Sequence, residues 1–262
     1  MINGINSREM ILEILLEIEE GEHSHVAIRN ALSKYQFLPK QDRAFITRVC
    51  EGTLEYRIQI DYIINSFSKV TVDKMKPAIR EILRSAVYQL KYMDSVPDSA
   101  VCNEAVKLAQ RKGFYNLKPF VNGVLRTIAR EMDQVRFPQK EDDLLKYLSV
   151  KYSMPEVLVT RWLEAYGEET TEKILADFLT EHPLTIRCRT YLNSKEEIIK
   201  SLESQGVHVA PAPYLSYAYS ISEFNHILAL DAFIKGKIVV QDVSSMLVAE
   251  VADPKKGDYV ID

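Results

Sequence analysis

The sequence predicts a mostly α-helical protein: a helical bundle over residues 1–138, a small α+β region over 139–236, and the opening of a further α/β domain over 237–262. Three observations carry this reading. Apolar residues recur at three- and four-residue spacing through the first half, with no alternating run among them. After the charged connector Gln139–Asp143 the pattern changes to short alternating runs set between helices. The terminal Tyr259-Val260-Ile261-Asp262 has the look of a buried parallel strand ending in Asp. Such a strand cannot stand alone and suits the first strand of a doubly wound sheet.

The elements follow in order. Met10, Ile11, Ile14, Leu15 and Ile18 form the stripe of a first helix that Gly21 closes. A second helix spans about 24–35, before Pro39. A long third helix, about Asp42 to Phe67, carries Phe45, Ile46, Val49, Leu54, Ile58, Tyr62 and Ile63, with Gly52 as a candidate bend. Asp73 is the expected cap of a fourth, with Ile79, Ile82, Leu83, Val87 and Leu90 as its stripe. Ser99 opens a fifth that stops before Gly113, and Phe120, Val121, Val124, Leu125 and Ile128 mark a sixth. Beyond the connector, helices at about 154–166 and 168–180 flank Gly167. Leu184–Arg189, Val207–Ala210, Leu215–Ser220 and Lys237–Gln241 are strand candidates, with a helix over 194–204 between the first two. Asp242 or Ser244 caps a last helix through Val251.

A chain of 262 residues with 47% apolar and 27% charged side chains has the material for about two folded domains. No apolar run approaches the length a membrane span needs, and Met1–Ser7 lacks the features of a secretion signal. Three widely spaced cysteines, Cys50, Cys102 and Cys188, fit reduced thiols, so a cytoplasmic location is expected. The net charge of −4 is unevenly distributed: residues 1–135 carry +2 and the remainder −6. Glu9, Glu13, Glu17, Glu19, Glu20 and Glu22 crowd the first helix, while residues 105–130 contain cations and no carboxylate.

Several stretches, in this order, resemble the small-subunit ribosomal RNA 5-methylcytosine methyltransferases of the RsmB (Sun, Fmu) family, whose N-terminal domain is similar to the antitermination factor NusB. They are Asp42-Arg43-Ala44 with Gly52-Thr53-Leu54, Asp61–Asn65, Tyr88-Gln89-Leu90 with Pro97, and Val121–Arg126. Tyr152–Pro155 with Trp162 and Tyr166, Pro183–Arg187, and Val240–Ser245 continue the match. The resemblance implies a NusB-like bundle, then a small α+β region, then the first strand of a truncated Rossmann-like methyltransferase domain. It implies S-adenosylmethionine as the family's methyl donor and 16S ribosomal RNA as its substrate. In the family, Val260-Ile261-Asp262 would lead into the glycine-rich loop that holds the donor. The catalytic and donor-binding residues are therefore expected outside this chain, which alone should neither bind the donor nor transfer a methyl group.

The residues agree with that expectation. Methylating cytosine at C5 requires a thiolate to add at C6 and a base to remove the C5 proton later. Cys50 and Cys102 fall on apolar stripes as buried thiols. Cys188 lies between Arg187 and Arg189, which could lower its pKa, but no base or donor motif accompanies it. The pair His23 and His25 has no partner at metal spacing, and no metal is expected.

The basic stretch supplies the candidate RNA contacts: Lys107, Arg111, Lys112, Lys118 and Arg126, with Phe114 and Tyr115 available for stacking. Arg126 and Asn122 equally fit a role inside the bundle, with Arg126 paired to a carboxylate such as Asp61. Two functional readings compete. One is the RNA-positioning part of a ribosomal RNA methyltransferase. The other is a free-standing NusB-type antitermination regulator, which would also engage a ribosomal or transcription protein. Residues 140–262 have no use in the second.

Overall fold

The apolar stripes of the first part converge on one core. In the computed structural model, which describes residues 6–35, 38–180, 182–191, 193–224 and 226–261, two units form, 1–179 and 180–262. Residues 1–5 and Asp262, to which the secretion-signal and final-strand readings refer, lie outside the described residues.

The first unit is helical: α1 (Ser7–Glu19), α2 (Ser24–Lys34), α3 (Lys40–Glu55), α4 (Arg57–Phe67), α5 (Pro77–Tyr92), α6 (Asp98–Arg111), α7 (Lys118–Glu131), α8 (Leu144–Lys151) and α9 (Glu156–Phe178). Helix α5 runs through the centre, with Ile79, Ile82, Leu83, Ala86 and Val87 all buried. Around it, Ile11 and Leu15 of α1, Ile46 and Val49 of α3, Ile60 and Ile63 of α4, and Val121 and Leu125 of α7 close a single core. Burial of these branched side chains is the main stabilising term, each contributing roughly 1.5–3 kcal/mol.

Three expectations are corrected here. The long third helix is two helices, broken at Tyr56, whose φ of −93° and ψ of 17° leave the helical basin. Gly52 is not the bend: it sits in regular helix, fully buried, where the Tyr88 ring packs against its backbone. Asp73 does not cap α5; it lies in a 3₁₀ turn, Val72–Lys74, and α5 starts at Pro77, a residue pre-set for a first helical turn.

Beyond the bundle, α8 and α9 pack against each other around Leu148, Val159 and Leu175. Helix α8 was not anticipated; it is short and is capped by Asp143, whose carboxylate accepts from the Lys146 N–H. Gly167, at φ 75° and ψ 172°, breaks α9 into the two helices expected on either side of it. The α8–α9 pair belongs to the first unit. The Gln59 amide on α4 donates to the carbonyls of Val150 and Lys151, and the Ile58 N–H donates to Ser153 Oγ.

The second unit runs β1 (Leu184–Cys188), α10 (Lys195–Glu203), β2 (His208–Pro211), β3 (Ala218–Ser222), α11 (Asp231–Ile234), β4 (Ile238–Val240) and α12 (Val243–Ala252). The sheet order is β2-β3-β1-β4, antiparallel throughout, with Ile186 opposite both Tyr219 and Val240. The β-α-β-β-α-β succession in that order is a ferredoxin-like arrangement. Ile186, Cys188, Ile221 and Ile238 share its core with Ile198, Leu202 and Ala232 of the helices. Asp242 caps α12 as expected, accepting from the Ser244 N–H. Strand β4 pairs with β1, so the sheet incorporates the start of the segment assigned from sequence to a further domain. Tyr259, Val260 and Ile261 form no strand: they are exposed, at 93%, 66% and 86%, with no neighbour to complete a ladder. No helix among the described residues is long and apolar enough to cross a membrane.

Candidate nucleic-acid interface

Helices α6 and α7 pack against each other and are joined by a tight turn at Gly113. Its φ of +86° is open to glycine at little cost, and it lets the Phe114 N–H reach back to the Ala109 carbonyl at 2.9 Å. The turn places the end of α6 and the start of α7 side by side, and with them the predicted cations.

The structure does not treat the five alike. On α6, Asn103, Lys107 and Arg111 recur every fourth residue and therefore share a face; all three are exposed. Lys107 donates to Glu104 one turn earlier at 2.7 Å. That hydrogen bond holds the Glu104 carboxyl below the usual range. Glu104 lies just outside the carboxylate-free stretch yet folds onto its face. Arg111 and Lys118 make no ion pair among the described residues. Arg126 on α7 is exposed and bonds to two amides, Asn122 Oδ1 at 2.9 Å and Asn103 Oδ1 at 3.3 Å. Those contacts tie α7 to the α6 face without neutralising the guanidinium.

Two sequence readings change. Arg126 does not pair with Asp61; that carboxylate is held by Arg84 in a two-pronged contact at 2.7 and 2.6 Å, and Arg84 also grips Glu81 at 2.6 Å. Lys112, the third cation of the run, turns away from Arg111 and pairs with Glu9 at 3.1 Å and Glu13 at 3.0 Å on α1. Its ammonium pKa is raised, first by the hydrogen bond to Glu13. The acidic first helix thus reaches the edge of the basic face. Of the two aromatics, Phe114 packs on the core while Tyr115 is 60% exposed and free to stack. A groove of about 390 Å³ follows the α6–α7 seam between Asp98, Ser99, Arg126 and Arg130, with Cys102 as its floor.

None of the cysteines is poised to attack. All three are buried. Burial pushes the Cys50 and Cys102 thiols up, and Cys188 up to about 11. The flanking arginines do not reverse this at Cys188, because neighbouring strand residues alternate between faces. Arg189 instead extends toward the Gly236 carbonyl. No group of three or more metal-binding side chains occurs among the described residues. No strand of the sheet leads into a glycine-rich loop among the described residues.

Comparison with known proteins agrees with the fold. The NusB family profile matches residues 5–130, and the ferredoxin-like domain of the Methyltr_RsmF/B-like group matches residues 154–227. The class is therefore a NusB-type helical domain followed by an RsmF/B-type ferredoxin-like domain. The probable ribosomal RNA small subunit methyltransferase B of Bacillus subtilis is 32% identical over 255 residues, which cover 97% of this chain and 56% of that protein. The protein of the same name from Synechocystis is 28% identical over 260 residues, covering 98% and 58%. The crystal structure of PH0851 superposes with a TM-score of 0.72 at 24% identity, covering 97% of this chain and 57% of that one, and shows the shared fold. The chain carries a NusB-family domain and an RsmF/B-like ferredoxin-like domain, is similar along nearly its whole length to the ribosomal RNA small subunit methyltransferase B proteins, and spans a little over half the length of these relatives.

Proposed function

We propose that this chain is the RNA-recognising portion of a 16S ribosomal RNA cytosine-C5 methyltransferase, docking RNA on the α6–α7 face. The observation that carries the reading is the row Asn103–Lys107–Arg111 beside Arg126. Its three cations are exposed: Arg126 is held by neutral amides, Lys107 by the partly buried Glu104, and Arg111 by no ion pair among the described residues, with Tyr115 at the turn. Surface ion pairs of the Lys107–Glu104 kind contribute little and exchange readily for a phosphate. Lys107, Arg111, Lys118 and Arg126 neutralise backbone phosphates, and Lys112 joins when its α1 carboxylates yield it. The methyl donor is S-adenosylmethionine. Transfer uses residues outside this chain, since its thiols are protonated and buried. Residues 1–138 act as the RNA-binding domain and 139–236 as a positioning domain, working in the cytoplasm.

The test is binding of a small-subunit ribosomal RNA hairpin across a salt series, comparing the chain with its Lys107→Ala/Arg111→Ala/Lys118→Ala variant. Loss of three phosphate contacts should flatten the slope of log K against log salt by about two to three units. An unchanged slope and affinity would remove the RNA face. Residues 154–227 argue against a free-standing antitermination regulator, which has no use for a ferredoxin-like domain.

A further inference from the structure

The segment joining α7 to α8 borders a second, open cavity of about 280 Å³, lined by Gln59, Lys91, Phe137, Gln139, Tyr147 and Lys151. It lies wholly within the first unit and shares no residue with the α6–α7 face. Two ammonium groups border it, each beside aromatic rings, and Lys151 also donates to the Tyr147 hydroxyl at 2.6 Å. Lys91 Nζ lies 5.5 Å from the centre of the Tyr92 ring and 5.4 Å from that of Phe137. Lys151 Nζ lies 4.9 and 4.8 Å from Tyr147 and Tyr152.

The remaining polar groups of the wall are already committed. The Gln59 amide donates to the Val150 and Lys151 carbonyls, its oxygen accepts from the Tyr92 hydroxyl, and the Gln139 amide donates to the Phe137 carbonyl. Lys151 shares Glu172 at 3.0 Å, whereas Lys91 forms no ion pair among the described residues. Burial pushes the Lys91 ammonium below its ordinary pKa, and the charge of Asp133 offsets this only in part. A ring face steadies a cation without neutralising it, and Lys91 keeps its N–H donors to give, whereas Lys151 exchanges its hydroxyl and carboxylate partners for an incoming anion. The cavity therefore offers the charge and donors of Lys91 directly and those of Lys151 by exchange with Glu172. A group with several acceptor oxygens and negative charge matches it.

We propose that this cavity is an anion site that takes the phosphate group of a nucleotide between Lys91 and Lys151. It stands whether or not the α6–α7 face binds RNA.

The experiment follows the lysine Nζ signals of the ¹⁵N-labelled full chain by NMR during titration. The probes are inorganic phosphate, uridine 5′-monophosphate and a short single-stranded RNA, with uridine and acetate as controls. Lys91 and Lys151 signals should move with every phosphate carrier and with neither control. A response to the RNA at lower concentration than to the mononucleotide assigns the site to an RNA chain; the reverse order assigns it to free nucleotides. Lys91→Ala should weaken the Lys151 response about tenfold or more. Lys107→Ala/Arg111→Ala/Lys118→Ala should leave it unchanged, which separates this site from the other face. Absence of any shift with the phosphate carriers in the unmodified chain, or an equal shift with acetate, overturns the proposal without reliance on a variant.

Discussion

The Tyr88 ring of α5 lies directly over Gly52 of α3, so close that a methyl group at position 52 would fall among the ring atoms. The contact lets two buried helices approach, and Tyr88 is stacked in turn with Tyr56 at 6.4 Å. Gly52→Ala should destabilise the first unit by about 3 kcal/mol, read as a lowered urea midpoint. In a Tyr88→Ala background the same substitution should cost less than about 1 kcal/mol, since the clash is gone. Equal costs in both backgrounds would show that the ring is not the reason for the glycine.

Glu13 competes for Lys112 with any phosphate. Glu9→Gln/Glu13→Gln should release the ammonium, steepening the salt dependence of RNA binding by about 0.7–0.9. Affinity at low salt should improve roughly twofold, the scale of an exposed ion pair. Weaker binding in this variant would place α1, rather than α6–α7, against the RNA.

Glu172 anchors the connector, accepting from Lys140, Lys151 and Tyr152 at 3.2, 3.0 and 3.0 Å. These contacts, Lys151 first, hold its carboxyl down at about 2. A carboxyl depressed on folding contributes stability above its unfolded pKa, and that contribution is lost as pH falls through the folded value. Stability should therefore decline between about pH 4.5 and 2 in the parent, and less steeply in Glu172→Gln. Urea midpoints at pH 7, 4 and 3 give the comparison. Parallel curves would mean that the network adds nothing.

Limited proteolysis reports the boundary. The connector 139–143 is pinned through Lys140 to Glu168 at 2.6 Å and to Glu172. The first cut is accordingly expected between 179 and 184, where the two units meet in sequence, and not in the charged connector. An early fragment ending near 140 would favour the division drawn from the sequence.

The elements legible in the sequence were those whose signal is local. The stripe Met10–Leu15 and the rows of α5 and α7 follow the helical period, so their burial could be read directly. Lys107 and Arg111 were legible as a surface pair by the same spacing. Asn103, one turn before them, completes that row and was overlooked. What failed was non-local. Nothing near Gly52 announces a tyrosine from another helix. Lys112 and Glu13 are 99 residues apart, so their pairing has no sequence signature. The alternating runs marked strands, but the order β2-β3-β1-β4 depends on long-range pairing that no short window contains.

The kink at Gly167 has a consequence for the connector. Its φ of 75° and ψ of 172° belong to a region that only glycine occupies readily. Helix α9 is thus two rods set at an angle by one residue, and the second rod carries Glu168 and Glu172 like jaws closing on Lys140 and Lys151. A residue that straightened the rod would swing those carboxylates off the connector and release Lys151 from one side of the phosphate cavity. A single backbone angle, remote in sequence from Lys140 and Lys151, acts as the set-screw of the clamp.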